Sequence, residues 1–159
     1  MAGLSINGGL AYTDAKVDAF RAVPGANPAD IIPKGTPLLF APKWKGTLGV
    51  DYRTGVTDTL DIFLGGQFSG QTKQLSIFSP NAALRELGTI EGYSLVNLSA
   101  GIGDVDDGWK LLFQVRNLFD KAFVGHKESG GPGGSLRYQI PRDADRYFGI
   151  TAKINFGGA

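Results

Sequence analysis

The chain has 159 residues, a formal net charge of +1, 19% charged residues, 24 glycines and no cysteine. A charge so close to zero excludes bulk electrostatic attraction to nucleic acid, and the lack of cysteine excludes a disulfide scaffold and thiolate metal sites. Mean hydropathy is −0.05, and no apolar run approaches the roughly 18 residues of a transmembrane helix. This hydropathy test does not detect transmembrane strands, in which about half of the residues are polar.

Six segments alternate between apolar and polar residues, which is the period of a strand with two different faces. In chain order they are residues 4–13, 44–52, 60–68, 94–102, 109–116 and 147–156. A weak helical period occurs at Asn81–Leu87. The pattern predicts an all-β chain of antiparallel strands. Strands of about ten residues, tilted by about 45°, are long enough to cross the ~25 Å apolar band of an outer membrane.

The connections between these segments alternate in length. Residues 20–43, 70–92 and 118–146 are long and rich in Gly, Pro, Ser, Asn and charge, whereas residues 53–59 and 103–108 are short and turn-like. Bacterial outer-membrane barrels sort their connections in this way, with long extracellular loops and tight periplasmic turns. We therefore expect both chain ends on the periplasmic side.

Aromatic residues on the apolar faces fall near the segment ends. One group lies at the long-loop ends and one at the short-turn ends, as in the two aromatic girdles of membrane barrels. The predicted girdle residues are Tyr12, Trp44, Phe68 and Phe148 at the first end, and Tyr52, Trp109 and Phe156 at the second. The strands of a soluble β-sandwich also alternate between apolar and polar residues. A sandwich does not explain why the loop lengths alternate or why aromatic residues lie at the segment ends.

No motif indicates catalysis or a bound cofactor. His126 is the single histidine and lacks a nearby nucleophile or second ligand in sequence, so a solvated loop residue is the expectation. The run Gly130–Ser135 lacks the lysine and helix of a phosphate loop and is interpreted as a flexible loop. Asp104, Asp106 and Asp107 lack the ligand series of a calcium loop. The chain is therefore not expected to be an enzyme.

The last part of the chain resembles the end of a TonB-dependent outer-membrane receptor. Tyr93–Ala100 leads through Asp106-Asp107-Gly108 to Trp109–Arg116, and this strand runs into Asn117-Leu118-Phe119-Asp120. An Arg-x-x-Gly element then follows at Arg146 and Gly149, before the aromatic Phe156. These elements in this order are similar to the family's pattern over Tyr93–Phe156, and the stretch from Leu4 to Phe68 resembles the preceding barrel strands more loosely.

The resemblance implies a 22-stranded barrel, plugged by an N-terminal domain, that imports scarce nutrients with energy transmitted by TonB. Residues 1–159 then form the C-terminal six strands, and the signal peptide and plug are absent from the sequence. The implied location is the bacterial outer membrane, and the implied partners are its lipid and lipopolysaccharide, the barrel-assembly machinery, the TonB complex through the missing plug, and a ligand such as a ferric siderophore. No nucleic acid and no cofactor are expected.

Two sets of residues receive roles from the resemblance. The assembly signal at the C-terminus corresponds to Phe148, Ile150, Ile154 and Phe156, although Gly157-Gly158-Ala159 trail the terminal aromatic. The ligand-contact candidates are basic residues of the long loops: Arg85, Lys127, Arg137 and Arg142. A siderophore or lipopolysaccharide phosphates are alternative partners for these residues. A porin-like barrel fragment and a soluble β-sandwich binding module remain as alternative identities.

Overall fold

The computed structural model describes residues 3–156 and confirms an all-β chain built around one antiparallel sheet. Six strands form this main sheet in the order β1-β2-β3-β6-β7-β10. Their bounds are β1 Gly3–Tyr12, β2 Trp44–Gly55, β3 Leu60–Gln71, β6 Tyr93–Asp104, β7 Trp109–Arg116 and β10 Tyr147–Ile154. Each pair of neighbours in the sheet is also consecutive among the six predicted segments. The trailing Gly157, Gly158 and Ala159 lie outside the described residues.

The long connections contain four short strands that the sequence pattern does not predict and one short helix that it indicates. Between β3 and β6 lie β4 Gln74–Leu75 and β5 Thr89–Ile90, which pair with each other, and the helix α1 Ala82–Leu87. Between β7 and β10 lie β8 His126–Ser129 and β9 Leu136–Gln139, which form a hairpin. The weak helical period is confirmed as α1, and the Asn81 side chain caps it by accepting a hydrogen bond from Ala83 N at 2.9 Å. Within residues 3–156 no helix is long and apolar enough to span a membrane.

The register places the apolar positions of all six strands on one face of the sheet. Since successive side chains of a strand point to opposite faces, pairing in register carries this separation across the sheet. One apolar row runs through Leu4, Tyr52, Leu64, Ala100, Phe113 and Ile150, and the adjacent row on the other face runs through Ser5, Asp51, Gly65, Ser99, Gln114 and Gly149.

The apolar face is open to its surroundings. Most of its large apolar side chains are between 39% and 74% exposed: Leu4, Ile6, Leu10, Tyr12, Trp44, Leu48, Tyr52, Leu64, Phe68, Leu98, Ile102, Trp109, Leu111, Phe113, Phe148, Ile150 and Ile154. A soluble β-sandwich would cover this face with a second sheet. In the described chain the remaining strands form only the two short ribbons in the long connections, so residues 3–156 do not form the predicted alternative, a β-sandwich.

The sheet does not close on itself. Among the described residues, β1 pairs only with β2, and β10 pairs only with β7, so both strands are edges with unpaired backbone groups. The smallest single-chain membrane barrels have about eight strands, and an open edge in lipid costs several kcal/mol for each unsatisfied backbone group. Six strands are therefore part of a larger barrel.

The short-turn end of the sheet is held by an ion-pair network on the polar face. Asp61 is 2% exposed, and its Oδ2 accepts a hydrogen bond from Arg53 Nε at 2.5 Å. Arg53 also donates to the Val105 carbonyl oxygen at 2.9 Å and to Asp107 Oδ1 at 3.2 Å. Arg53, near the end of β2, thus joins the start of β3 to the turn that follows β6, where Asp107 is its second acidic partner.

Candidate functional site: the loop layer at the long-loop end of the sheet

The three long connections lie at the same end of the sheet and pack into one layer. We call them loop 1 (residues 13–43), loop 2 (residues 72–92) and loop 3 (residues 117–146). Most of the buried apolar side chains of the described chain belong to these loops and not to the sheet: Val17, Ile32, Leu75, Ile77, Ile90 and Ala144. The layer therefore has a hydrophobic core of its own, which stabilises it beyond what isolated surface loops achieve.

Loops 1 and 2 are joined through their backbones. Phe40 N donates to the Leu75 carbonyl oxygen at 2.9 Å, and Leu39 forms a parallel bridge with Leu75. At the base of the loops, Thr72 N donates to the Trp44 carbonyl oxygen at 3.0 Å, and Thr72 Oγ1 accepts from Trp44 N at 3.1 Å.

All three loops meet at His126. The imidazole of His126 stacks on the ring of Phe40, with 5.5 Å between the centroids, and its Nδ1 lies 3.2 Å from Ser76 Oγ. Ser76 Oγ also donates to the Lys127 carbonyl oxygen at 2.6 Å and accepts from Lys127 N at 3.0 Å. The expectation of a solvated loop histidine is wrong, because residues far apart in sequence bury part of the ring.

The ammonium group of Lys127 connects loop 3 to the end of α1. Its Nζ donates to the carbonyl oxygens of Thr89 at 2.6 Å and Leu87 at 3.2 Å. A cation at a helix C-terminus satisfies the last carbonyl groups and interacts favourably with the helix dipole. Lys127 was a predicted ligand contact, and in the structure its charge is engaged within the layer.

The Asn-Leu-Phe-Asp motif closes the base of loop 3. Asn117 is 1% exposed, its Nδ2 donates to the carbonyl oxygens of Lys121 and Asp143, and its Oδ1 accepts from Lys121 N at 2.8 Å. Asp120 Oδ1 accepts from Arg146 N at 2.8 Å. Asn117 and Asp120 have positive φ angles of 50° and 53°, a conformation that Asn and Asp tolerate better than most residues. The motif residues thus hold both ends of the loop together.

A cavity of about 590 Å³ lies between loops 1 and 2, within the range of about 300–1,000 Å³ that is usual for small-molecule sites. Its charged lining residues are Lys16, Lys43, Lys73, Arg85, Asp14 and Glu86. Lys16 Nζ is 2.9 Å from Asp14 Oδ2, and the hydrogen bond from Lys16, together with the charges of Lys16 and Lys43, lowers the pKa of Asp14. Lys43 and Lys73 make no ion pair within 4.0 Å among residues 3–156.

The remaining predicted ligand contacts are spread over the layer. Arg85 lines the cavity, but its Nη1 donates to the carbonyl oxygens of Ser79 and Pro80. Arg137 lies 3.6 Å from Glu128, and the Arg142 guanidinium lies 4.9 Å from the ring centroid of Tyr147. The structure therefore does not gather the predicted basic residues into one site. Lys43 and Lys73, which sequence reasoning missed as a pair, are brought together only by the packing of the two loops.

The polar face of the sheet is a second candidate surface. Its strand residues include the cations Lys45, Arg53, Lys110, Arg116 and Lys153 and the anions Asp51 and Asp61. Neutral amides continue it, since Asn97 Nδ2 donates to Gln67 Oε1 at 3.2 Å and Gln114 Nε2 donates to Thr151 Oγ1 at 3.0 Å. A hydrated face with an excess of positive charge suits contact with anionic groups in a barrel lumen.

The predicted girdle residues occupy the two ends of the apolar face. At the long-loop end, Tyr12 and Trp44 are opposite each other, with 4.7 Å between their ring centroids. Phe148 stacks on Phe113 with 6.0 Å between the centroids. Tyr52 and Trp109 lie towards the short-turn end. The residues predicted as an assembly signal are all exposed, Phe148, Ile150 and Ile154 in β10 and Phe156 just beyond its end, and a Cβ at Gly149 would meet no atom within 4 Å.

Within residues 3–156 no group of three or more His, Cys, Asp or Glu side chains is placed to hold a metal ion.

Comparison with known proteins gives one match. A family model described as TonB dependent receptor-like, beta-barrel, matches residues 2–118, well over half of the 159 residues. No curated protein and no solved structure matches the chain. The match includes β1, β2, β3, β6 and β7 and reaches the first residues of the Asn-Leu-Phe-Asp motif, whereas β10 lies beyond it. The open antiparallel sheet, its exposed apolar face and this match lead to one conclusion: the chain belongs to the TonB-dependent receptor-like β-barrel family and is consistent with a C-terminal part of the barrel.

Proposed function

We propose that the chain forms the C-terminal barrel wall and three extracellular loops of a TonB-dependent outer-membrane receptor that takes up an anionic nutrient complex of the ferric siderophore class. Membership of this family supports the general role of an outer-membrane receptor in transport. The proposal adds the class of ligand, the orientation in the membrane and the partners. The observation that supports it most is the ordered loop layer, placed at one end of a sheet with one apolar and one charged face.

The charge distribution supports an anionic ligand on the polar face more than in the loops. The three loops carry eleven Lys and Arg residues and nine Asp and Glu residues, so their excess of positive charge is small. The strands of the polar face carry five cations and two anions. An anionic complex that leaves the loop layer would meet this wall next, and a field of one sign attracts it.

The open edges support the proposed division of the barrel. We infer that residues 1–159 supply six of about 22 strands, and that β1 and β10 pair with strands that lie outside this sequence. The plug, through which the receptor contacts TonB, would then lie against the polar face. The exposed residues Phe148, Ile150, Ile154 and Phe156 are proposed to be read by the barrel-assembly machinery before β10 pairs.

Uptake in the native organism tests the ligand class. A strain that lacks the gene region encoding residues 1–159 is grown under iron limitation and supplied with ⁵⁵Fe-labelled siderophores. We expect the uptake of one of them to fall to the level of a strain without functional TonB, while a small solute that diffuses through porins enters both strains as in the parent. Unchanged uptake of every ferric siderophore, with loss of another nutrient that requires TonB, would overturn the ligand class and leave the receptor role intact.

A further inference from the structure

The hydrogen bonds of Ser76 determine which nitrogen of the His126 ring carries a proton. A serine hydroxyl group has one proton to donate and two lone pairs that accept. Ser76 Oγ lies 2.6 Å from the Lys127 carbonyl oxygen, which can only accept, so the hydroxyl proton is used in this contact. Lys127 N donates to Ser76 Oγ at 3.0 Å. The remaining lone pair faces His126 Nδ1 at 3.2 Å, so Nδ1 carries a proton and donates it.

Nε2 of the neutral ring is therefore an acceptor without a proton. It lies 3.9 Å from Glu128 Oε2, and an ionised carboxylate is also only an acceptor. The other carboxylate oxygen of Glu128 lies 3.6 Å from Arg137 Nη1 of β9, so Arg137 does not occupy Oε2. A proton taken up at Nε2 thus converts two facing acceptors into a donor and an acceptor.

The other contacts of the ring are compatible with the same charge state. The imidazole stacks on Phe40 of loop 1 with 5.5 Å between the centroids and 28° between the planes, and an aromatic face attracts a cation within about 6 Å of its centroid. The bond from Nδ1 to Ser76 of loop 2 persists, because Nδ1 is protonated in both forms of the ring. The His126 side chain is 36% exposed, so water also reaches the charged ring.

Few other charged groups face this ring. No ionisable side chain occurs in the segments around Phe40 and Ser76 or in β5 beside β8: residues 35–42, 74–80 and 89–90. On β8, Lys127 holds its ammonium group at the end of α1, and it shares the opposite face of the ribbon with its partner Tyr138. On β9, Arg137 is paired with Glu128. Among residues 3–156, Glu128 supplies the carboxylate within 4.0 Å of His126.

We propose that His126 makes the loop layer responsive to pH: in mild acid the charged ring binds Glu128 and Phe40 more strongly and holds loop 3 against loop 1. Both contacts favour the protonated ring, so this stabilisation is present at low pH and is lost as the pH rises. Imidazole ordinarily changes charge between about pH 5 and pH 8, whereas carboxylates stay ionised there. The inference goes beyond the proposed function, since it depends neither on the transported nutrient nor on TonB.

The first test uses the receptor that contains this chain, purified in a mild detergent and digested with a protease of broad specificity at about pH 5.5 and about pH 8. Cleavage within loop 3 is compared with that of His126→Asn at the same pH, so the pH dependence of the protease cancels. The amide nitrogen of asparagine can replace Nδ1 as the donor to Ser76, but asparagine does not titrate. We expect wild-type loop 3 to gain about two- to threefold in protection on acidification relative to this variant, as for one partly exposed ion pair.

A second pair of variants tests the partner of the ring. Glu128→Gln removes the carboxylate that receives the new proton and should lose most of the pH response. The matched control Asp18→Asn removes the same charge from loop 1, where exposed Asp18 pairs with Lys34, and should respond to pH as the wild type does. Equal circular dichroism of the purified variants establishes that they fold. A pH response in Glu128→Gln as large as that of the wild type overturns the proposal.

Nitrogen NMR of the receptor labelled with ¹⁵N-histidine tests the protonation of the ring directly. The signals that disappear in His126→Asn belong to His126. We expect a protonated Nδ1 and an unprotonated Nε2 at about pH 8, with a proton added at Nε2 on acidification. A neutral ring with its proton on Nε2, or an equal change in loop 3 protection in the wild type and His126→Asn, overturns the proposal. Both measurements are independent of siderophore uptake, so either failure leaves the proposed function intact.

Discussion

Asn117 donates a hydrogen bond from Nδ2 to the carbonyl oxygen of Asp143 at 3.0 Å, across 26 residues of sequence. The same side chain binds the backbone of Lys121 through both its amide nitrogen and its oxygen. One buried carboxamide therefore fixes the departure of loop 3 from β7 and its return towards β10.

Asn117→Ala should release the base of loop 3. The change removes the three part-buried hydrogen bonds that the Asn117 side chain makes to the backbones of Lys121 and Asp143, each worth about 0.5–1.5 kcal/mol, and it places alanine at a positive φ angle, which it tolerates poorly. We expect a loss of about 2–4 kcal/mol in the free energy of unfolding and faster protease cleavage of loop 3 on intact cells. Asn27→Ala is the control, because exposed Asn27 makes one local hydrogen bond to Ala29 N. Equal protease resistance of the two variants would contradict the assigned role.

Lys127→Met should separate loop 3 from α1. The substitution keeps much of the apolar stem but removes the donors to Leu87 and Thr89, so we expect increased proteolysis within loop 2 as well as loop 3. Lys34→Met serves as the control, since the Lys34 side chain is 77% exposed and only pairs with Asp18 at the surface. Cleavage confined to loop 3 would show that the two loops are not coupled through Lys127.

Arg53→Met should lower the free energy of unfolding more than the partly exposed position of Arg53 indicates. It leaves the buried Asp61 carboxylate without its cation, and an uncompensated buried charge is destabilising. Arg53 donates to Asp61 Oδ2, and the buried Asp61 Oδ1 has no hydrogen-bond partner in the described chain. The double variant Arg53→Met/Asp61→Leu should therefore recover part of the loss in urea unfolding of the receptor in detergent. If the double variant loses as much unfolding free energy as the two single variants added together, Arg53 and Asp61 are not coupled.

Phe113 and Gln114 provide a test of the two faces, because they are adjacent in β7 and point to opposite sides. Phe113→Arg places a charge on the apolar face, at a cost of about 2–4 kcal/mol near the middle of a bilayer. Gln114→Arg places the same side chain on the polar face and should cost about 1 kcal/mol or less. The amount of folded receptor in the outer membrane measures the difference, and similar amounts of the two variants would refute the proposed orientation.

Phe156→Ala tests the proposed assembly signal. Phe156 is 90% exposed, so its removal costs little packing within the chain, yet we expect less receptor in the outer membrane and more in the periplasm. Tyr138→Ala, which removes an exposed aromatic residue from loop 3, should leave the amount unchanged. Normal assembly of Phe156→Ala would remove this residue from the signal.

The sequence predicts the sheet well because each strand carries its own periodic signal. Residues 109–116 are predicted and observed with the same bounds, and the register keeps every predicted apolar face on one side. The loop layer has no such signal. β4 and β5 are two residues long each, and the run Gly130–Ser135, interpreted as a flexible loop, forms the turn of the β8–β9 hairpin.

The candidate site was predicted less completely for the same physical reason. Basic residues of the loops are visible in sequence, but their partners are not. Lys127 donates to the Thr89 carbonyl oxygen, 38 residues away in sequence. This contact holds the two loops together, so the ammonium group of Lys127 has a structural role. Lys43 and Lys73 belong to different loops, so only the packing of loop 1 against loop 2 makes them neighbours of one cavity. The girdle and assembly assignments remain predictions.

The shared core of the loop layer limits how this surface can change. Phe40, Ser76 and His126 each come from a different loop and meet at one point, so a new sequence in one loop must fit the other two. Transplanting a single loop between related receptors would leave cavities and unmatched donors at this junction. We expect ligand preference to be inherited, and to be engineered successfully, by exchanging the three loops as one cassette.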